Sequence, residues 1–261
     1  MDNTTLLGYS THMQDSAPIA LVTGASRGIG RACAEALAAQ GFSLALQFRE
    51  KAADADALAA TFSNAGKVCK TFQADLSQPG SATALVSNIE NSMGGPTVLV
   101  HAAGAIVEKP LMFLKPEEWT AQLELHAVSA WALSKAMLKF LRKSDRGRLV
   151  FIGSLAGEMG LGNGSAYAAS KGALSGLAKC LALETARYGT TVNVIAPGYV
   201  DTDLTAAQDA EKRAAKEQEI PLKRFGKASE VGALAAYLCS PAASFMTGQV
   251  LTLDGGMRLT A

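Results

Sequence analysis

Tyr167 and Lys171 stand four positions apart in Tyr167-Ala168-Ala169-Ser170-Lys171, a spacing that puts a phenol and an ammonium on one face of a helix. The pair alone is ordinary, because tyrosine and lysine at this spacing decorate many helix surfaces. Ser154 changes its meaning. It follows a short apolar run, Arg148–Ile152, at the place where an open parallel sheet presents its ligand edge. Such a trio has a definite chemistry. A carbonyl carbon that receives a hydride leaves an alkoxide-like oxygen, and a phenol whose pKa falls from about 10 toward neutrality supplies its proton. A nearby cation favours phenolate, so Lys171, helped by an oxidised nicotinamide, is read as lowering the pKa of Tyr167. The Ser154 hydroxyl holds the substrate oxygen.

A hydride needs a carrier, and Thr23-Gly24-Ala25-Ser26-Arg27-Gly28-Ile29-Gly30 has the features of a dinucleotide cradle. It runs from a strand into a helix, with glycines that let a pyrophosphate approach backbone amides at a helix N-terminus. The end of the second strand reads Gln47-Phe48-Arg49, without the acid that would bind a ribose 2′-hydroxyl. Arg27 and Arg49 instead suit a 2′-phosphate, which predicts NADPH/NADP+. Asp75, followed by Leu76, closes the third strand, where its carboxylate either accepts from the adenine amino group or caps the next turn. Ala102, Ala103 and Gly104 follow the fourth strand, and Pro197, Gly198, Val200 and Thr202 follow the sixth. These segments complete the expected cofactor edge.

Positioning these groups requires alternating strands and helices. Short apolar runs at Ile19–Thr23, Ser43–Phe48, Val68–Ala74, Val98–His101, Arg148–Ile152, Thr191–Ile195 and Val250–Leu253 read as parallel strands. Helical stretches rich in alanine and leucine lie between them at Gly28–Ala39, Ala52–Asn64, Gly80–Ser92, Glu117–Arg142, Ser165–Tyr188 and Ser229–Leu238. The fold class is therefore α/β, a single doubly wound parallel sheet of about seven strands. Residues 1–16 read as a flexible tail, and residues 17–261 as one domain. The charged segment Thr202–Gly226 reads as a helical lid inserted around residues 202–226.

Bulk properties narrow the partners. The chain of 261 residues is 49% hydrophobic and 18% charged with a formal charge of +1, too balanced for a nucleic-acid grip. Cys33, Cys69, Cys180 and Cys239 form neither a CxxC pair nor a disulfide framework, which suggests buried thiols in a reducing compartment and no metal site. The N-terminal residues lack the apolar core of a signal peptide, and no apolar run reaches membrane-spanning length. The expectation is a cytoplasmic protein acting on a small or carrier-linked substrate, with no membrane and no nucleic acid.

The T-G-x-x-x-G-x-G loop at Thr23–Gly30, Ser154, Y-x-x-x-K at Tyr167–Lys171 and Pro197-Gly198 fall in the order and spacing of one family. From Ile19 onward the chain resembles the short-chain dehydrogenases/reductases. That resemblance implies a Rossmann fold of strand order 3-2-1-4-5-6-7. It also implies that Lys171 binds the nicotinamide ribose and that Val200 and Thr202 meet the carboxamide. Two positions depart from it. His101 stands where the family's N-N-A-G begins, as His101-Ala102-Ala103-Gly104, and His126 stands at the family's fourth catalytic residue, an asparagine that seats a water relaying protons to the lysine. His126 either joins that relay, since imidazole titrates near neutrality, or is a packed, hydrogen-bonded core residue.

Within the family the chain is most similar to 3-oxoacyl-[acyl-carrier-protein] reductases, in Ser26–Arg31, Ala196–Asp203, Thr247-Gly248-Gln249 and Asp254-Gly255-Gly256. The resemblance implies NADPH-dependent reduction of a 3-oxoacyl thioester, of fatty-acid or polyketide type, with acyl carrier protein as a partner. It further implies a homotetramer formed through the Glu117–Arg142 and Ser165–Tyr188 helices and the last strand. Arg142, Lys143, Arg146, Arg148 and Arg187 either form a basic rim near the site or are, for most of them, solvated surface charge. Two alternatives stay open: a reductase of a free small ketone or sugar, and a non-catalytic NADP-binding sensor or scaffold.

Overall fold

Each apolar run becomes a strand and each alanine- and leucine-rich stretch a helix, because only that alternation buries both faces of a parallel sheet. The computed structural model describes residues 17–203 and 209–259. The predicted tail at 1–16 and part of the predicted lid, 204–208, lie outside the described residues. In chain order the elements are β1 (Ile19–Thr23), α1 (Gly28–Ala39), β2 (Ser43–Phe48), α2 (Ala52–Asn64), β3 (Cys69–Gln73), α3 (Ser81–Met93) and β4 (Val98–His101). They continue with α4 (Pro116–Leu123), a π-turn (Glu124–Val128), α5 (Ser129–Leu141), β5 (Arg148–Ile152), α6 (Leu155–Met159), α7 (Ser165–Thr185) and β6 (Thr191–Pro197). The chain then forms β7 (Val200–Asp201), α8 (Ala210–Glu219), β8 (Gly226–Lys227), α9 (Ala228–Cys239) and β9 (Val250–Leu253).

Seven strands form one parallel sheet in the order β3-β2-β1-β4-β5-β6-β9. This is the Rossmann arrangement and the implied order, with β9 as the seventh member. Successive side chains point to opposite faces. Accordingly Ala20 and Val22 pack with Leu37 and Val231 on one side, and Leu21 packs with Leu133 and Leu174 on the other.

Four details differ from expectation. The stretch Glu117–Arg142 is not one helix, because the π-turn separates α4 from α5. The Ser165–Tyr188 helix ends at Thr185 and tightens into a 3-10 turn over Ala186–Tyr188. A short helix, α6, follows Ser154, whose Oγ caps it by accepting the Ala156 N–H at 3.2 Å. Finally, β7 and β8 form a separate parallel pair, which ties the base of the Thr202–Gly226 segment to the strand that carries Val200.

Candidate active site

The glycine loop is shaped by close approach. Gly24 has φ +65°, and a Cβ on Gly30 would stand 2.2 Å from the Gly24 carbonyl oxygen, so only glycine lets the turn fold onto the start of α1. Gln47, buried in β2, braces this loop: its Oε1 accepts the Gly24 N–H at 2.9 Å and its Nε2 donates to the Ala74 carbonyl at 2.7 Å. Thr23 Oγ1 accepts the N–H groups of Ala102 and Ala103, each at 3.0 Å. Gln47 and Thr23 were not among the predicted site residues. A glutamine inside an otherwise apolar strand was the available signal for one of them.

Around this loop opens a cavity of about 460 Å³, a volume suited to a cofactor-sized ligand. Its walls include Gly24, Ser26, Arg27, Gly28, Ile29, Gly30, Arg49, Asp75, Leu76, Ala102, Ala103, Gly104, Ser154, Tyr167, Lys171, Pro197, Gly198, Val200 and Thr202. Every predicted site residue except His126 therefore reaches the same space. The residues fit a dinucleotide: glycines leave its backbone amides open, and two guanidinium groups stand at one end. Arg27 and Arg49 are half-exposed and each faces a neighbouring acid, Asp203 at 3.7 Å and Glu50 at 2.7 Å. Asp75 takes the capping alternative, accepting from Ser77 N at 3.0 Å and Ser77 Oγ at 2.7 Å. Those bonds hold its carboxyl below the usual carboxylate range, and it still lines the cavity.

Ser154 and Tyr167 meet because α6 lies directly on α7. A Cβ on Gly157 would stand 2.6 Å from the Gly172 nitrogen, so two glycines let the backbones touch. The Ser154 side chain acts on the Tyr167 phenol, lowering its pKa. Lys171 is buried and donates from Nζ to the Ile152 carbonyl at 2.8 Å, with Nζ 5.9 Å from the centre of the Tyr167 ring. Burial pushes the Lys171 ammonium down to about 7.

The Tyr167 pKa moves opposite to the sequence expectation. Burial raises it, the Ser154 side chain opposes the rise, and the Glu108 carboxylate adds to it. Spacing along a helix carries no information about desolvation, which is the larger effect here. The result is a protonated phenol at neutral pH, the form that donates.

His126 lies behind the cavity wall, fully buried in the π-turn. A Cβ on Gly104 would meet its Nε2 at 3.0 Å and Lys171 Nζ at 3.5 Å. The mouth also holds Ile106, Leu125, Met159, Leu161, Tyr199 and Met257, with Glu108 as an acid among them. This apolar wall was invisible to motif reading, because it gathers single residues from six separate loops and elements.

Of the two readings of the five basic residues, the rim is not found, since none of them lines the cavity. Arg148 is buried at the start of β5, donating to the Gly147 and Gly189 carbonyls. Arg142, Lys143 and Arg146 lead into that same strand end, and Arg187 leads into the start of β6. Within the chain they occupy the amino edge of the sheet, opposite the cavity.

A sequence profile for the family described as "Enoyl-(Acyl carrier protein) reductase" matches residues 24–258. The 3-oxoacyl-[acyl-carrier-protein] reductase of Escherichia coli strain K12 is 39% identical over 239 residues, covering 92% of this chain and 96% of that protein. This chain is a short-chain dehydrogenase/reductase. The 3-oxoacyl-[acyl-carrier-protein] reductase of Synechocystis sp. is 37% identical over 93% of this chain and 97% of its own length. Among solved structures of the family, acetoin dehydrogenase from Salmonella typhimurium superposes with a TM-score of 0.86 at 32% identity, over 94% of this chain and 99% of that one. A blue fluorescent protein from a metagenomic library, solved in complex with NADPH, gives 0.87 at 30% identity over 92% and 97%. Membership makes the protein an oxidoreductase. Among the described residues, no helix is long and apolar enough to cross a membrane.

Proposed function

We propose that this short-chain dehydrogenase/reductase is an NADPH-dependent reductase of 3-oxoacyl thioesters carried on acyl carrier protein. The observation that carries the reading is the convergence of Ser154, Tyr167 and Lys171 on one cavity whose outer wall is apolar. Ser154 orients the substrate carbonyl oxygen, and Tyr167, held as a neutral phenol, gives that oxygen its proton. Lys171 sets the potential around the phenol from behind and would hold the nicotinamide ribose hydroxyls. When bound, NADPH supplies the hydride. Arg27 and Arg49 would hold its 2′-phosphate, and Val200 and Thr202 its carboxamide. The names of the curated relatives support the carrier-linked substrate, and the apolar wall suits an acyl chain. The profile's description names enoyl substrates, but hydroxyls converging on one point match the needs of a developing alkoxide at a ketone oxygen.

The helix α8, ion-paired through Arg213 to Asp201 at 2.6 Å, serves as the lid over the cofactor end. Exposed Trp131 on α5 and Leu183 on α7 support association as a homotetramer. A free small ketone is the second reading, favoured by the likeness to an acetoin dehydrogenase. NADPH oxidation with a 3-oxoacyl panel on acyl carrier protein, run beside free ketones and with NADH as the control cofactor, tests both. Carrier-linked substrates should show the highest kcat/KM, NADPH should exceed NADH, and Tyr167→Phe should abolish turnover. Preference for a free ketone would transfer the assignment to the second reading, and NADH preference would overturn the roles of Arg27 and Arg49.

A further inference from the structure

His101 and His126, the two departures from the family pattern, are both inside the protein, at 1% and 0% exposure. Their hydrogen bonds fix where each ring's proton resides. The Ala105 N–H donates to His126 Nε2 at 3.2 Å, so that nitrogen offers a lone pair and a neutral ring carries its proton on Nδ1. His126 Nδ1 in turn donates to Ser170 Oγ at 2.8 Å, and the Ser170 hydroxyl donates to the Tyr167 carbonyl at 2.7 Å. At His101 the arrangement is reversed. Thr23 Oγ1 already accepts two backbone N–H groups, so its own proton goes to His101 Nδ1 at 2.9 Å. The His101 proton then sits on Nε2 and faces Ser129 Oγ at 3.1 Å, whose proton goes to the Leu125 carbonyl at 2.5 Å.

We infer that His126, backed by His101, is a positioning residue. Two neutral imidazoles of opposite tautomer clamp the Ala102–Ala105 turn to the π-turn and to the first turn of the tyrosine helix, and His126 carries no proton to Lys171. This deepens the catalytic reading of Ser154, Tyr167 and Lys171 and rests on it. Both nitrogens of each ring are engaged in bonds whose direction the neighbouring groups dictate. Protonating His126 would aim a second N–H at the Ala105 N–H and add a cation beside Lys171. The titratable groups facing it are Lys171 and Tyr167 from α7 and His101 from β4, with the Tyr167 ring edge-on at 5.7 Å. Burial first, then the charge of Lys171, presses the His126 pKa far below the usual imidazole range. Burial and Lys171 hold that of His101 down to about 3. Lys171 must therefore recover its proton by a route that bypasses the histidine.

Nitrogen-15 spectra of the full chain, labelled at its 3 histidines, read the tautomers directly. The expected result is a proton on Nδ1 of His126 and on Nε2 of His101, unchanged from about pH 5.5 to 9. An imidazolium signal or a tautomer change at His126 in that range would overturn the inference. These spectra need no substrate, so an error in the proposed reaction leaves them intact, whereas full turnover in Tyr167→Phe would sink the catalytic reading alone. Kinetics supply the second readout. His126→Gln, whose amide can accept from Ala105 and donate to Ser170, should keep kcat within about threefold, while His126→Phe should lower kcat and raise the KM for NADPH about tenfold. Both should keep the wild-type pH midpoint. A displaced pH limb in the glutamine variant would show that the imidazole carries protons.

Discussion

Lys171 combines a charge the site uses with a burial the fold resists. Its ammonium has a folded pKa of about 7 against an ordinary 10.5, so the folded chain binds fewer protons than the unfolded chain between those values. Stability contributed by this group therefore rises with pH across that window, and the full burial penalty is present below it. Lys171→Met should abolish turnover yet raise Tm of the cofactor-free protein by roughly 4 °C near pH 6.5, an advantage that shrinks toward pH 10. Thermal denaturation across pH reads this, and a lower Tm at every pH would mean that the bond to Ile152 outweighs burial. Ser154, Tyr167 and Lys171 were legible in the sequence because their types and spacing already imply a reaction. The upward shift of Tyr167 was not, since it comes from what surrounds the phenol. Ser170 and Gln47 escaped for the same reason: their partners, His126 and Ala74, are distant in the chain.

At the scale of elements, the strands were legible almost to the residue because an apolar run bounded by turns has few other readings in an alternating chain. The break at Glu124–Val128 was hidden. A π-turn leaves the apolar spacing of the surrounding helix nearly intact, and what sustains it is tertiary: Ser129 takes up the Leu125 carbonyl, and His126 reaches the neighbouring helix. The contact of α6 with α7 was equally hidden, since nothing local distinguishes Gly157 from a flexible-loop glycine. Gly157→Ala puts a methyl group against the Gly172 nitrogen. It should cost about 1–3 kcal/mol of stability and, by displacing Ser154 from Tyr167, lower kcat/KM at least about tenfold. Gly162→Ala, which meets nothing within 4 Å, is the matched control and should leave both unchanged. If the two variants behave alike, the glycine contact does not position Ser154.

For the whole molecule, the sheet separates two chemistries. The carboxyl edge holds the cavity, and the amino edge gathers Arg142, Lys143, Arg146, Arg148 and Arg187. A strand the length of β5 puts roughly 15 Å between the edges, beyond the ~8 Å over which exposed charges act at physiological salt. Arg146→Glu with Arg187→Glu should therefore leave free-ketone turnover within about twofold of wild type. A larger loss on free ketones would mean that this edge communicates with the site, and a loss confined to carrier-linked substrates would identify it as a docking face. The sheet order has one more consequence, for how the protein comes into being. Of the strands in this sheet, β1 is made before the others and lies inside it, and β9 is made last and lies at an edge beside β6. Each of the seven residues of β6 is buried in the finished fold, yet its outer edge stays open until translation passes Leu253, several seconds later at ~5–20 residues per second. For that interval the nascent chain offers an unpaired, apolar β-edge, and the segment from Gly198 to Gln249 must fold or wait without trapping it.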